Sequence, residues 1–241
     1  MPENYSTTVE QSSMAKLFAD AALGGRRREL SAGEVIFEPA TAADSVYFIH
    51  RGQVRLYQVG PEDARLVEIL GPDEWFGVGA LARTGAHESR AIAVVPTLVT
   101  EVPAEQLRAA LAHRPEVLLE LNRQLAEKLQ AARDDAARLV FEDCNQRLIR
   151  TLLHFSGSAA STRHDQEVVL KITHNQLAQA VGVARETVSL ALTQLRHKNL
   201  LRTGRNQLIF NPDALQQFRV RERKSGANAA NGHGRAVEQL A

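Results

Sequence analysis

One cysteine in 241 residues, Cys144, leaves no partner for an internal disulfide and too few thiols for an iron–sulfur cluster or a thiolate zinc site. It is read as a small half-buried residue. No apolar run approaches the roughly 18 residues that span a bilayer, and the polar start MPENYSTTVEQSS does not resemble a secretory signal. The expected compartment is therefore the cytoplasm, with no membrane partner. The chain also lacks a GxxxxGK[ST] loop, a GxSxG elbow, an HExxH helix and a paired carboxylate set in a cleft-like context, so an enzyme is the weakest reading. What is present, 44% hydrophobic and 24% charged residues, describes a globular protein of one large or two ordinary domains.

The net charge of +1 hides an asymmetry. Residues 1–144 hold 15 Lys and Arg against 22 Asp and Glu, net −7, whereas residues 145–224 hold 13 against 5, net +8. An acidic part is joined to a basic one of the kind that binds phosphates, because neutralising a nucleic-acid backbone releases counterions.

Within the basic part, Ile172 to Leu201 (ITHNQLAQAVGVARETVSLALTQLRHKNLL) reads as two short helices around a tight turn. Thr173 can cap the first helix, whose inward residues are Leu177, Ala178 and Val181, and Gly182 supplies the permissive backbone of the turn. The second repeats apolar residues at Val188, Ala191, Leu192 and Leu195, leaving Arg185, Glu186 and Ser189 together on the opposite face near its start. An ordinary helical hairpin with a solvated face has the same pattern. Leu200 to Phe210 then suggests a two-stranded hairpin with a basic tip, a wing from which Arg202 and Arg205 would reach phosphates.

Residues 1–14 read as a loose arm, and Met14 to Leu23 as a short amphipathic helix with Leu17, Phe18, Ala21 and Ala22 inward. Arg26, Arg27 and Arg28 are read as a solvated edge. From Glu29 to Val102, short runs rich in Val, Ile, Phe, Tyr and Leu between Gly, Pro and Asp are expected strands: 35–37, 45–50, 53–58, 65–70, 91–95 and 98–102. Without intervening helices they imply a sandwich or roll. Ala104 to Ala112 is a short helix, and nothing breaks a helix from Glu116 to about Glu142. Leu118, Asn122, Leu125, Leu129, Ala132, Ala136 and Leu139 recur there at spacings of four and three, a coiled-coil seam that predicts a parallel homodimer with Asn122 as its register-setting polar residue. The other reading packs that stripe on the chain's own β domain. Residues 145–155 form a helix, 156–165 a loop, 167–172 a strand, 212–223 a last helix, and 225–241 a disordered tail.

The stretch Ile172 to Leu201 is close to the pattern ITxxxIAxxxGxSRETVxRxLxxLxxxxLI, and Leu30 to Tyr57 to LxxGExIFxxGxxADxVYFIxxGxVRLY. Over residues 17–221 the chain thus resembles the cAMP receptor protein and fumarate–nitrate reductase regulator (CRP/FNR) family of bacterial transcription factors. The resemblance implies an α+β fold: a cyclic-nucleotide-binding-like β-roll (jelly roll) over 15–115, a dimerisation helix over 116–142 and a winged helix-turn-helix over 145–223. It implies an activator that binds a palindromic site in double-stranded DNA as a homodimer and contacts RNA polymerase. The implied DNA-facing set is Thr173, His174, Arg185, Glu186, Thr187, Ser189, Leu190, Arg202 and Arg205. Leu190 stands where the family pattern has its later arginine, so altered preference is expected at the base pair which that arginine reads.

The implied effector pocket comprises Gly77, Val78, Gly79, His87, Ser89, Arg90 and Asn122. Val78 stands where cAMP-binding members carry a glutamate, and its side chain accepts no hydroxyl hydrogen bond. The segment His87-Glu88-Ser89-Arg90 places the phosphate-position residue near His87. A 2-oxoglutarate-like anion held by Arg90 or His87, as the Phe-Gly-Val step of nitrogen-control regulators suggests, and a protein with no effector are both open. A sensor under full cyclic-nucleotide control is the alternative. His50 and His87, the candidate haem ligands, are read as strand-face or loop histidines.

Overall fold

The structure is a computed structural model that describes residues 13–18, 20, 23–60, 63–82, 85–138 and 143–222. They form two compact units, the first holding the described residues up to Asp135 except Ala64–Leu66, which group with the second, from Ala136 onward. Among the described residues no helix is long and apolar enough to cross a membrane.

The first unit opens with the helix Ser13–Phe18 (α1). Eight strands follow: Arg26–Leu30 (β1), Val35–Phe37 (β2), Ser45–Arg51 (β3), Val54–Val59 (β4), Ala64–Leu70 (β5), Trp75–Phe76 (β6), Arg90–Ala93 (β7) and Thr97–Pro103 (β8). They build two four-stranded sheets, ordered β1-β8-β3-β6 and β2-β7-β4-β5. This is the roll that the run of short strands implied. Strand β3 shows why the unit has two apolar layers. Successive side chains point to opposite faces, so Tyr47 and Ile49 join Phe37, Val54, Phe76, Ala91 and Val99 between the sheets. Val46 and Phe48 go to the other face, where they meet Phe18, Leu107, Leu111, Val117 and Leu121 from helices. Phe18 stacks on Phe48 with ring centroids 5.1 Å apart.

The arginine triplet belongs to a strand that the sequence reading missed. It lies in β1 at the edge of its sheet, paired with β8. Arg28 donates to Glu101 at 3.3 Å, so the triplet is an edge held by ion pairing, and its charges discourage further strand addition. The helix expected from Met14 begins one residue earlier, and 1–12 and 21–22 lie outside the described residues.

Gly52 turns the chain from β3 into β4 with φ of +98°. A Cβ there would stand 2.6 Å from the Thr97 Cα and 2.7 Å from the Pro96 carbonyl oxygen. Backbone cannot retreat as a side chain can. Gly52→Ala is expected to destabilise the roll by about 3 kcal/mol, from left-handed strain and overpacking together. Urea unfolding would show a lowered midpoint with an unchanged slope; an unaltered midpoint would contradict the geometry.

Two helices complete this unit, Ala104–Ala112 (α2) and the 24-residue Pro115–Arg138 (α3). On α3, Val117 and Leu121 are buried in the roll's helical layer, and Gln124 accepts a hydrogen bond from Trp75 Nε1 at 2.9 Å. The stripe read as a seam is offset from these by one residue. Leu118 is 39% exposed, Leu129 52%, and Asn122 and Ala132 are also exposed. A single chain therefore leaves the described part of that stripe uncovered, Leu125 included. The Ala136 side chain and Leu139 to Glu142 lie outside the described residues.

The second unit comprises Cys144–Phe155 (α4), Ser161–His164 (β9), Glu167–Leu170 (β10), His174–Val181 (α5), Arg185–His197 (α6), Leu201–Gly204 (β11), Gln207–Phe210 (β12) and a last helix, 212–222 (α7). Asp143 caps α4 by accepting from the Gln146 backbone at 2.8 Å. The strands make one sheet, β11-β12-β10-β9. Strand β9 replaces part of the loop expected over 156–165. It pairs with β10 across a turn in which Asp165 takes φ of +52°, a conformation Asp tolerates, and its residues, exposed but for a half-buried Ser161, gave no alternating pattern. The tail 225–241 lies outside the described residues.

Candidate nucleic-acid interface and ligand cavity

The two-helix stretch forms as the sequence dictates. The Thr173 Oγ1 accepts from the Gln176 backbone at 3.2 Å, and the Gln176 Oε1 accepts from the Thr173 backbone at 3.0 Å, a reciprocal capping box that fixes where α5 starts. Gly182 ends it in the left-handed conformation, φ 75° and ψ 46°, and its N–H donates to the Ala178 carbonyl. Buried Leu177, Ala178 and Val181 on α5, with Val188, Ala191, Leu192 and Leu195 on α6, supply the inward stripes.

The outward face of α6 carries Arg185, Glu186 and Thr187, all exposed, and Leu190, 63% exposed. An apolar side chain so bare on a polar face has water to lose on contact with a partner. Ser189, expected on the same face, is half-buried and turned toward α5, where its Oγ lies 3.0 Å from the Nδ1 of His174. These two residues therefore fix the angle between the helices as well as belonging to the expected DNA-facing set. On the hairpin, Arg202 is engaged with Glu167 at 2.6 Å, while Arg205 is exposed at the tip.

A polar groove of about 460 Å³ joins these parts. Its walls are Ile172, Thr173, His174 and Asn175 at the start of α5, Arg185 at the start of α6, and Gly204, Asn206 and Gln207 at the hairpin turn. Sequence reading missed Asn175, Asn206 and Gln207; Asn206, with φ of +56°, is the turn residue that a hairpin tip selects. Donors from three separate elements thus converge on one concave face, as backbone positioning beside a base-reading helix requires.

The second site is a cavity of about 560 Å³ in the roll. It is lined by Phe37, Leu56, Gly77, Val78, Gly79, Leu81, Ala82, Ala86, His87, Glu88, Ser89 and Leu125. Gly77 starts the 3-10 turn Val78–Leu81 with φ of 78°, and a Cβ there would stand 3.0 Å from the Ser45 carbonyl oxygen and the Tyr47 ring. Only glycine fits. His87, 6% exposed, lies flat on Phe37 with centroids 3.6 Å apart and planes 1° from parallel. Burial pushes its imidazole below the ordinary value against the opposing pull of Asp44, which favours the neutral ring.

Five of the seven residues expected in the pocket line it: Gly77, Val78, Gly79, His87 and Ser89. Arg90 does not, because its Nε donates to Glu38 at 2.7 Å. Asn122 is an exposed residue of α3, and Leu125, one turn along, takes its place in the wall. Phe37, Leu56, Leu81 and Glu88 were not foreseen as lining residues. His50, the other histidine weighed as a haem ligand, lies with its Nε2 2.6 Å from the Thr100 hydroxyl, and among the described residues no cluster of three or more metal-ligating side chains occurs.

Two domain families match this chain: the cyclic nucleotide-binding domain over residues 27–114 and the Crp-like helix-turn-helix domain over residues 146–218. The global nitrogen regulator of Synechococcus elongatus is 31% identical over 193 residues, 77% of this chain and 86% of that protein. The CRP-like cAMP-activated global transcriptional regulator of Mycobacterium tuberculosis is 29% identical over 192 residues, covering 76% and 83%. Among solved structures, a CRP/FNR-family transcriptional regulator from Thermus thermophilus superposes with a TM-score of 0.66 at 28% identity, over 80% of this chain and 97% of that one. The c-di-GMP-responsive global regulator of Xanthomonas campestris shares the fold, with a TM-score of 0.70 at 23% identity, over 81% and 99%.

Proposed function

The chain belongs to the CRP/FNR family of transcription regulators, and from that premise we propose that it is a homodimeric activator that reads a palindromic operator through α6. The observation that carries this is the exposed face Arg185-Glu186-Thr187-Leu190, set above the polar groove in a basic unit. Arg185 has the donor geometry for guanine O6 and N7, and Glu186 can accept from cytosine N4. Arg205 approaches phosphates from the wing, whereas Arg202 first has to leave Glu167. The uncovered stripe on α3 supports a dimer, which doubles these contacts over half-sites about one helical turn apart. RNA polymerase is the partner of the DNA-bound activator.

Control by cAMP is not carried over from the mycobacterial relative. Val78 in the cavity wall accepts no hydrogen bond from a ribose hydroxyl, and among the described residues no Lys or Arg lines the cavity to pair with a cyclic phosphate.

Leu190 provides the test. Binding to operators varied at each position should show one base pair per half-site where discrimination is within about threefold, because an apolar side chain offers at most contact with a thymine methyl. Leu190→Arg should then gain at least about tenfold preference for guanine there, since a good bidentate pair is worth about 1–3 kcal/mol. Strong discrimination at every position by the unaltered protein, or no effect of Leu190→Arg, would contradict this face as the reading surface.

A further inference from the structure

The cavity in the roll has walls unsuited to the anions that the family resemblance suggests. Seven of its lining side chains are hydrocarbon or aromatic: Phe37, Leu56, Val78, Leu81, Ala82, Ala86 and Leu125. The polar side chains are His87, Glu88 and Ser89, and among the described residues no Lys or Arg lines it. Arg55, Arg83 and Arg90 each adjoin a wall residue in sequence; Arg90 is engaged with Glu38, Arg55 is not a wall residue, and Arg83 lies outside the described residues. An anion brought here would lose water against an apolar wall and meet the Glu88 carboxylate, with no opposite charge among the described lining residues to compensate it.

We propose that this cavity takes an uncharged, largely apolar small molecule of about two rings or equivalent hydrocarbon bulk, packed against the Phe37–His87 plate and Leu125. A volume of about 560 Å³ is ample for such a ligand. The neutral His87 ring and the Ser89 hydroxyl give it one or two hydrogen bonds that fix orientation without requiring charge. Leu125 sits at the edge of the wall and also in the uncovered stripe of α3, so an occupant bears directly on the helix that carries the dimer seam. The inference rests on the regulator reading only for its consequence: occupancy would bias the two recognition helices.

The test uses N-phenyl-1-naphthylamine, an uncharged two-ring fluorophore, titrated into the full-length protein. One saturable site per protomer with a micromolar Kd is expected, neither cAMP nor 2-oxoglutarate displacing the probe at millimolar concentration. Two variants localise the site. Gly79→Leu fills the cavity from a position where an added Cβ comes no nearer than 4.0 Å to another residue, and Val78→Glu puts a second carboxylate in the wall. Each should weaken binding at least tenfold while the melting temperature stays near that of the unaltered protein. No saturable binding, unchanged binding in both variants, or displacement by either anion would overturn the proposal. Operator binding is measured separately on the same preparations. Probe binding without operator binding would sink the regulator reading and leave the cavity assignment standing; the reverse would do the opposite.

Discussion

Arg185→Ala is expected to lower affinity for the proposed palindromic operator by at least about 30-fold, and Glu186→Ala to have an effect of the same order, with helical content and melting temperature unchanged. Both side chains are exposed and take no part in the buried stripe of α6, so their truncation leaves the core of the folded unit intact. A bidentate base contact is worth about 1–3 kcal/mol, and a dimer makes each contact twice. Two kcal/mol in total is already about 30-fold. The loss should fall on cognate sequence more than on random duplex, because phosphate contacts from the groove and wing survive. Arg205→Ala should do the opposite, weakening binding to all sequences alike and reducing the salt slope by about 1. If Arg185→Ala weakened cognate and random DNA equally, its role would be backbone contact.

If the proposed dimer forms through the α3 stripe, Leu129→Glu is expected to separate it into monomers and to cost operator affinity on the order of 100-fold or more. Leu129 is 52% exposed in the single chain, so a carboxylate there is tolerated by the folded monomer. Across a parallel seam the substituted residue faces its own copy, and two carboxylates would share an apolar position. Without the dimer each half-site is bound independently, and the effective-concentration gain of about 10²–10⁴ is lost. Sedimentation should show the change from dimer to monomer, and Leu121→Glu should not reproduce it cleanly. Leu121 is 4% exposed in the roll's own core, so its substitution unfolds the unit instead. A Leu129→Glu protein that remains dimeric would place the subunit contact elsewhere.

How far the sequence discloses this arrangement depends on whether a feature is local. Thr173 and Gly182 carry their own conformational instructions, and the capping box and left-handed turn stand where those residues are. The runs that became β3, β4, β5 and β8 are long and rich enough in Val, Ile, Leu, Phe and Tyr between turn residues to be recognised. Strands β1, β6 and β9 were not, because one is mostly arginine, one is two residues long and one is polar throughout. On α3 the sequence holds two apolar stripes offset by one residue. The stronger 4-3 stripe is visible, but only the structure shows that Val117 and Leu121 cover the roll and leave Leu118 and Leu129 bare.

Site electrostatics were the least legible. Arg90 and Glu38 are 52 residues apart, and Arg202 and Glu167 are 35 apart, so neither pairing leaves a local trace. Each engages a cation whose position suggested another role. The link between His174 and Ser189 is likewise tertiary, and it turns a residue expected among the base-reading ones inward to the helix junction.

The most direct measurement is anisotropy titration of a labelled palindromic duplex whose half-sites lie one helical turn apart, against the same half-sites separated by a further half turn. It is made with the protein alone and with cAMP, cyclic di-GMP, 2-oxoglutarate and N-phenyl-1-naphthylamine in turn. Tight binding to the first duplex in at least one condition is expected, weakened about 100-fold or more by the half-turn insertion and falling steeply with salt, because a rigid dimer holds two recognition helices in fixed phase. Equal affinity for both duplexes, or no binding to either in any condition, would contradict a dimeric operator-reading regulator.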